Sequence, residues 1–130
     1  MKYQNKPQRY SGTGGAGFTG SHLFDHLINS DNVTAYDNLS SGRKEFLERY
    51  VSNLNFHFIQ ADLLDLVTLN KAIANHDVIF HLAGNPDVRA RITNTKLDLQ
   101  QGTLATHNVL EAMKVNQLGE VASRRTIEML

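Results

Sequence analysis

No cysteine occurs among the 130 residues, which excludes disulfides, thiolate catalysis and cysteine-based metal sites. Charge of one sign is missing too. Lys+Arg and Asp+Glu number 13 each, so there is no basic surface to draw nucleic acid and no acidic arm. Long apolar runs are absent: stretches such as Val78-Ile79-Phe80 fall far short of the roughly 20 residues that span a bilayer. The opening, Met1 to Pro7, has no apolar centre of a signal peptide, and neither repeats nor low-complexity segments appear. These absences predict a soluble, cytoplasmic protein without membrane or nucleic-acid partners. What remains is 41% apolar and 20% charged, ordinary for one globular domain with a core of its own.

Short β-like runs alternate with helical patterns, which predicts a parallel α/β sheet. Residues 1–11 read as a polar, irregular segment, followed by the glycine-rich stretch Gly12 to Gly17. Leu23, Phe24, Leu27 and Ile28 form one helical stripe. Val33 to Tyr36 reads as a strand ending at Asp37, Asn38 to Gly42 as a loop, and Phe46, Leu47, Tyr50 and Val51 as a short second helix. Phe56 to Ile59 is a third strand closed by Asp62, and a helix with Asp65 as N-cap follows through Leu66, Leu69 and Ile73. Val78 to Leu82 is a buried strand. A long helix runs from about Thr95 to Met113, and the tail from Asn116 to Leu130 shows no period.

The chemistry concentrates in Thr13 to Gly20. A pyrophosphate needs backbone amides and close approach of the main chain, and side chains at the turn would block it. A helix opening at about Phe18 aims its positive end at such a ligand. Gly15, Gly17 and Gly20 match G-x-G-x-x-G, while Gly14, Gly17 and Gly20 match G-x-x-G-x-x-G. The second spacing is favoured because Thr13 precedes it. A flexible glycine turn is the plain alternative. Asp37, 17 positions after Gly20 at the end of the next strand, suits an acid that accepts hydrogen bonds from an adenosine ribose and repels a 2′-phosphate, which favours NAD over NADP. The plain alternative for Asp37 is a turn-forming residue. Asp62 either approaches the adenine or caps the next helix. His81 reads as a satisfied strand histidine, and His22 and His26 as surface residues without a third metal ligand.

Together these segments resemble the NAD-dependent epimerase/dehydratase family, the extended short-chain dehydrogenases. The motifs are TGGAGFTGSH (Thr13 to His22), YDNLSSGR (Tyr36 to Arg43), ADL (Ala61 to Leu63), HLAG (His81 to Gly84) followed by NPDVR, and GTLATHNVLEA (Gly102 to Ala112). The resemblance is strongest to UDP-glucose 4-epimerase-like enzymes and implies a Rossmann-like doubly wound sheet that binds NAD. It implies that Gly14, Gly17, Phe18, Thr19 and Gly20 cradle the pyrophosphate. Asp37 then holds the adenosine ribose, with Asn38, Ser40, Ser41 and Gly42 around it. Asp62 and Leu63 flank the adenine, Leu82, Ala83 and Gly84 line the path to the nicotinamide ribose, and Asn108 lies near the active centre. Epimerases of the family move a hydride from sugar C4 to NAD and return it to the other face of a rotated keto sugar. The long helix near 95–114 implies a homodimer.

Two departures qualify the resemblance. The family's base is the tyrosine of Tyr-x-x-x-Lys, yet none of Tyr3, Tyr10, Tyr36 and Tyr50 has a lysine four positions on. No catalytic residue is therefore assigned, and Ser123 is read as an ordinary tail residue. Against the family's pattern the substrate-binding part is expected to be absent from this chain, and the fifth strand, due near Leu118, has no apolar run. The sheet is thus expected to stop after about four strands and leave the fourth as an open edge. At the other end, Gln8-Arg9-Tyr10-Ser11-Gly12 replaces the family's apolar first strand, which predicts a poorly anchored glycine loop and NAD binding that is weak or absent. Both departures match a truncated or frameshifted copy of a longer enzyme. The alternatives are a non-catalytic dinucleotide-binding module or remnant, and a sugar-nucleotide dehydratase or reductase.

Overall fold

The computed structural model describes residues 8–83, 93, 95–116 and 127–129. Its centre is a parallel sheet whose first strand, β1 (Arg9–Thr13), pairs on one side with β2 (Asn32–Asp37) and on the other with β4 (Val78–His81). Beyond β2 lies β3 (Phe56–Gln60), and a three-residue β5 (Ile127–Met129) pairs parallel with β4. The order β3-β2-β1-β4-β5 reverses direction between β1 and β4. In a sheet of this kind, ligands bind outside the carboxyl ends of the strands at that reversal.

Register explains the two faces. Gly12, Ala35 and Phe58 share one row, and Ser11, Thr34 and Ile79 share another. Onto the first face pack α1 (Phe18–Leu27) and a 3-10 helix (Lys44–Tyr50), which enclose Phe24, Ile28, Val33, Ala35, Leu47, Tyr50 and Phe56. Onto the second pack α2 (Leu66–Ala72) and α4 (Ala105–Val115), around Tyr36, Leu69, Ile73, Ile79, Val109 and Met113. A short α3 (Thr95–Asp98) and a π-helical stretch (Leu99–Leu104) lead into α4. Helices on both faces of a parallel sheet make the fold α/β, as the alternating pattern predicts, and Rossmann-like, as the family resemblance implies.

Three expectations are corrected. Residues 9–11 are not irregular but begin the central strand. Arg9 is exposed at its open end, where its backbone N–H donates to the Asp77 carboxylate at 2.9 Å. The Arg9 side chain is not buried, so the cost that argued against a strand here does not arise, and the glycine loop has its anchor. The fourth strand is not an open edge, because β5 covers it. This strand lies well after Leu118, and its three residues are too few to show a period. The long helix is not uniform either, since the π-helical stretch interrupts it between Asp98 and Ala105. Residues 1–7, Gly84, Asn85 to Arg89, Leu118 and Ser123 lie outside the described residues. Among the described residues no helix is long and apolar enough to cross a membrane.

Candidate functional site

Strand β1 delivers the chain into a turn at the sheet reversal. Gly14 takes φ +70°, a left-handed conformation that side chains strain. A Cβ on it would stand 2.7 Å from the Ala83 nitrogen and 2.9 Å from the Leu82 carbonyl carbon. Glycine is required there twice over. The Gly14 N–H donates to the Tyr36 carbonyl at 2.8 Å, and the Gly17 N–H returns to the Gly14 carbonyl at 3.0 Å. Gly17 is the N-cap of α1, without a side-chain cap and without an acid in the first turn. The first helical bond joins the Ser21 N–H to the Gly17 carbonyl. The amides of Phe18, Thr19 and Gly20 thus open the helix with no acceptor inside it. Gly20 packs so tightly that a Cβ would meet the Gly15 Cα at 2.8 Å. Phe18 and Thr19 are exposed. Free amides on a positive helix end, beside a turn stripped of side chains, suit an anion such as a pyrophosphate. The positive φ at Gly14 favours the G-x-x-G-x-x-G reading, with Gly15 instead packing against the Ala35 methyl.

Asp37 ends β2 beside this turn. Its Oδ2 accepts from the Ala16 N–H at 2.9 Å and its Oδ1 from the Leu39 N–H at 2.8 Å. The Arg43 N–H donates to the Ala16 carbonyl at 2.9 Å, so Ala16 is held on both sides by the loop after β2. A Cβ on Gly42 would lie 2.7 Å from Asp37 Oδ2, so glycine there lets the loop fold over the carboxylate. Within that loop the Asn38 Oδ1 accepts from the Ser40 N–H, and Ser40 and Ser41 are exposed. Asp37 remains half-buried. Each carboxylate oxygen has more than one acceptor site, so two bonds to the chain leave capacity for ribose hydroxyls.

The floor beyond β3 is built from Asp62 and Leu63. Asp62 Oδ1 accepts from the Leu64 N–H, its Oδ2 from the Asn38 amide at 3.4 Å, and its carbonyl from the Tyr36 hydroxyl at 2.7 Å. Burial, and secondarily the carboxylates of Asp65 and Asp62, push the Tyr36 phenol up to about 12. The helix-cap alternative for Asp62 is answered by Asp65, which caps α2 by accepting from Thr68. Asn108, expected near the active centre, donates to the Leu63 carbonyl at 2.8 Å and so braces this floor. Leu82 donates its N–H to the Thr13 carbonyl, placing Leu82 and Ala83 along the rim at Gly14. Gly84 lies outside the described residues.

Some contacts were not legible in advance. Thr13 Oγ1 lies 2.6 Å from His81 Nδ1, and His81 Nε2 lies 3.0 Å from Thr106 Oγ1. His81 is thereby the satisfied strand residue that its position suggests, bridging β1, β4 and α4. Desolvation holds its pKa below the usual histidine value. The roles of Ala16 and Leu39 rest on backbone atoms, which leave no residue-type signal. His22 turns back to the Phe18 carbonyl and stacks on the Phe18 ring. Among the described residues no cluster could hold a metal ion.

A family model described as NAD dependent epimerase/dehydratase family matches residues 13–129. A UDP-N-acetyl-alpha-D-glucosaminuronate decarboxylase of Bacillus cytotoxicus is 33% identical over 101 residues, 77% of this chain and 31% of that protein. The solved UDP-N-acetylglucosamine 4-epimerase of Methanobrevibacter ruminantium, in complex with UDP-N-acetylmuramic acid, superposes with a TM-score of 0.79 at 36% identity, covering 86% of this chain and 36% of that one. The UDP-glucose 4-epimerase of Thermus thermophilus, in complex with NAD, gives 0.74 at 29% identity, covering 85% and 35%. The chain therefore spans about a third of the length of these relatives.

Proposed function

The chain belongs to the NAD dependent epimerase/dehydratase family, and we propose that it is the NAD-binding part of a nucleotide-sugar epimerase. One observation carries this reading: the Asp37 carboxylate is bonded to the Ala16 amide at 2.9 Å, which sets the ribose acid against the phosphate turn. Gly14, Gly17, Phe18, Thr19 and Gly20 hold the pyrophosphate. Asp37, with Asn38, Ser40, Ser41 and Gly42, holds the adenosine ribose and turns away a 2′-phosphate. Asp62 and Leu63 flank the adenine, and Leu82, Ala83 and Gly84 lead to the nicotinamide ribose. A Cβ-free turn and open helix amides fit a diphosphate, and the half-buried Asp37 fits a diol. Bound NAD supplies a hydride acceptor and donor. The chain's own residues supply binding and orientation, because no Tyr-x-x-x-Lys occurs in the sequence.

Cytoplasmic placement belongs to the same reading, as does a homodimer through the helix near 95–114. In support of the dimer, Leu99, Leu104 and Leu110 are exposed along that stretch. Calorimetric titration with NAD and with NADP tests the proposal. Saturable NAD binding that exceeds NADP binding is expected. Binding of neither overturns the proposal, and a preference for NADP overturns the role of Asp37. The chain alone is expected to leave UDP-glucose and UDP-galactose unconverted.

A further inference from the structure

The 3-10 helix Lys44–Tyr50 carries an unusual burden. Runs longer than about four residues are uncommon because their i→i+3 bonds are poorly aligned, and this one has seven. Its flanking bonds run from the Phe46 N–H to the Arg43 carbonyl at 3.1 Å and from the Val51 N–H to the Glu48 carbonyl at 3.3 Å, the second longer than is usual. Such a segment depends on anchors outside itself, and it has one at each end. At its start the Arg43 N–H is bonded to the Ala16 carbonyl in the glycine turn. At its end the buried Tyr50 hydroxyl lies 2.7 Å from the Ser21 carbonyl of α1 and within hydrogen-bond reach of the Asp25 carboxylate, its one proton shared between the two acceptors.

From these contacts we infer that Tyr50 is a positioning residue for the dinucleotide site, latching the loop of residues 38–43 against the phosphate turn without touching the ligand. The inference rests on the dinucleotide reading above. Two routes connect the phenol to the site. Through the backbone, the 3-10 helix and Arg43 transmit its position to Ala16 and hence to Asp37. Through packing, the Tyr50 ring meets Phe24 edge-on at 6.2 Å and Phe56 at 5.5 Å, and the Phe24 ring lies where a Cβ on Gly12 or Gly15 would stand, 2.9 Å away. Burial, and secondarily the bond to Asp25, push the phenol up to about 12, so it remains a donor across the neutral range. Arg49 pairs with Asp25 at 3.0 Å and lies over the Tyr50 ring, which orients the acceptor.

The test is Tyr50→Phe in the full 130-residue chain, which keeps the ring packing and deletes the donor. Far-UV circular dichroism and cooperative unfolding report the fold. Amide hydrogen exchange in the ligand-free chain is expected to speed up at Leu39 and Arg43, whose N–H groups bond to Asp37 and Ala16, by about threefold to tenfold, the scale of one lost hydrogen bond. NAD affinity, by calorimetry, is expected to fall by a similar factor. The control is Asn116→Ala, which removes bonds to the Asn70 and Ala112 carbonyls far from the loop. It is expected to lower stability while leaving both readouts unchanged. Unchanged exchange at Leu39 and Arg43 in folded Tyr50→Phe overturns the latch, as does unchanged NAD affinity. If the unsubstituted chain binds no NAD, the dinucleotide reading fails and the exchange measurement alone decides the latch. Asp25→Asn keeps an acceptor for the phenol and is expected to give a smaller effect than Tyr50→Phe.

Discussion

At the scale of single residues, the turn shows how chemistry and strain share a position. Gly14 combines φ +70° with backbone atoms under 3 Å from any added methyl. Gly14→Ala is expected to lower stability by at least about 2 kcal/mol, measured by denaturant unfolding, since the left-handed strain and the overlap add. Ser11 makes the opposite case. Its hydroxyl is fully buried in β1 and has no partner among the described residues. Ser11→Ala removes that unmet demand and is expected to raise stability by about 1 kcal/mol in the same assay. The place of the glycines in the turn before α1 and of Asp37 at the end of β2 was legible in the sequence, because that spacing has a physical reason. The Ala16 amide that donates to Asp37 was not legible, since any residue type but proline can donate a backbone N–H.

Among elements, β1 was the hardest to read. Its residues alternate between a face that needs almost no side chain, at Gly12 beneath Phe24, and a face that carries Ser11 and Thr13. Neither face looks apolar, so the run lacks the hydrophobic signature of a central strand. Pairing on both sides makes it one nevertheless. The strands from Val33, Phe56 and Val78 were legible within a residue or two because they are apolar and β-branched or aromatic. The helix near 95–113 was legible as a helix, but its π-helical stretch was not, since an extra backbone residue per turn carries no fixed composition. Gly102 sits in that stretch, and a Cβ there would meet nothing within 4 Å. Gly102→Ala is expected to stabilise the chain by about 0.5–1 kcal/mol, read as a higher unfolding midpoint, through the lost freedom of the unfolded chain.

For the molecule as a whole, the sheet has two unlike faces. One buries aromatic and aliphatic groups around Phe24, while the other sets Ser11, Thr13, Thr34 and His81 into the contact with α2 and α4. Burial holds the pKa of both His81 and His76 below the usual histidine value. The unfolded chain then takes up protons at a higher pH than the folded one, so stability is complete above about pH 6.5 and lost as pH falls below it. A decline of at most about 1.4 kcal/mol per pH unit for each of the two histidines is expected, and thermal unfolding at pH 7.5, 6.5 and 5.5 checks it. The parallel α/β class was legible from alternation and the two-sided cover from the family resemblance, whereas the short β5 against β4 depends on pairing that no local pattern announces.

The bond between Asp37 and Ala16 has a kinetic consequence. Because the turn is braced by the chain's own carboxylate and carbonyl, the entropy of ordering it falls on folding rather than on association. A dinucleotide bound as proposed would meet a surface that is already shaped, its capture governed by encounter. Stopped-flow traces should give an observed rate that rises in a straight line with ligand concentration, with no plateau from a slow rearrangement.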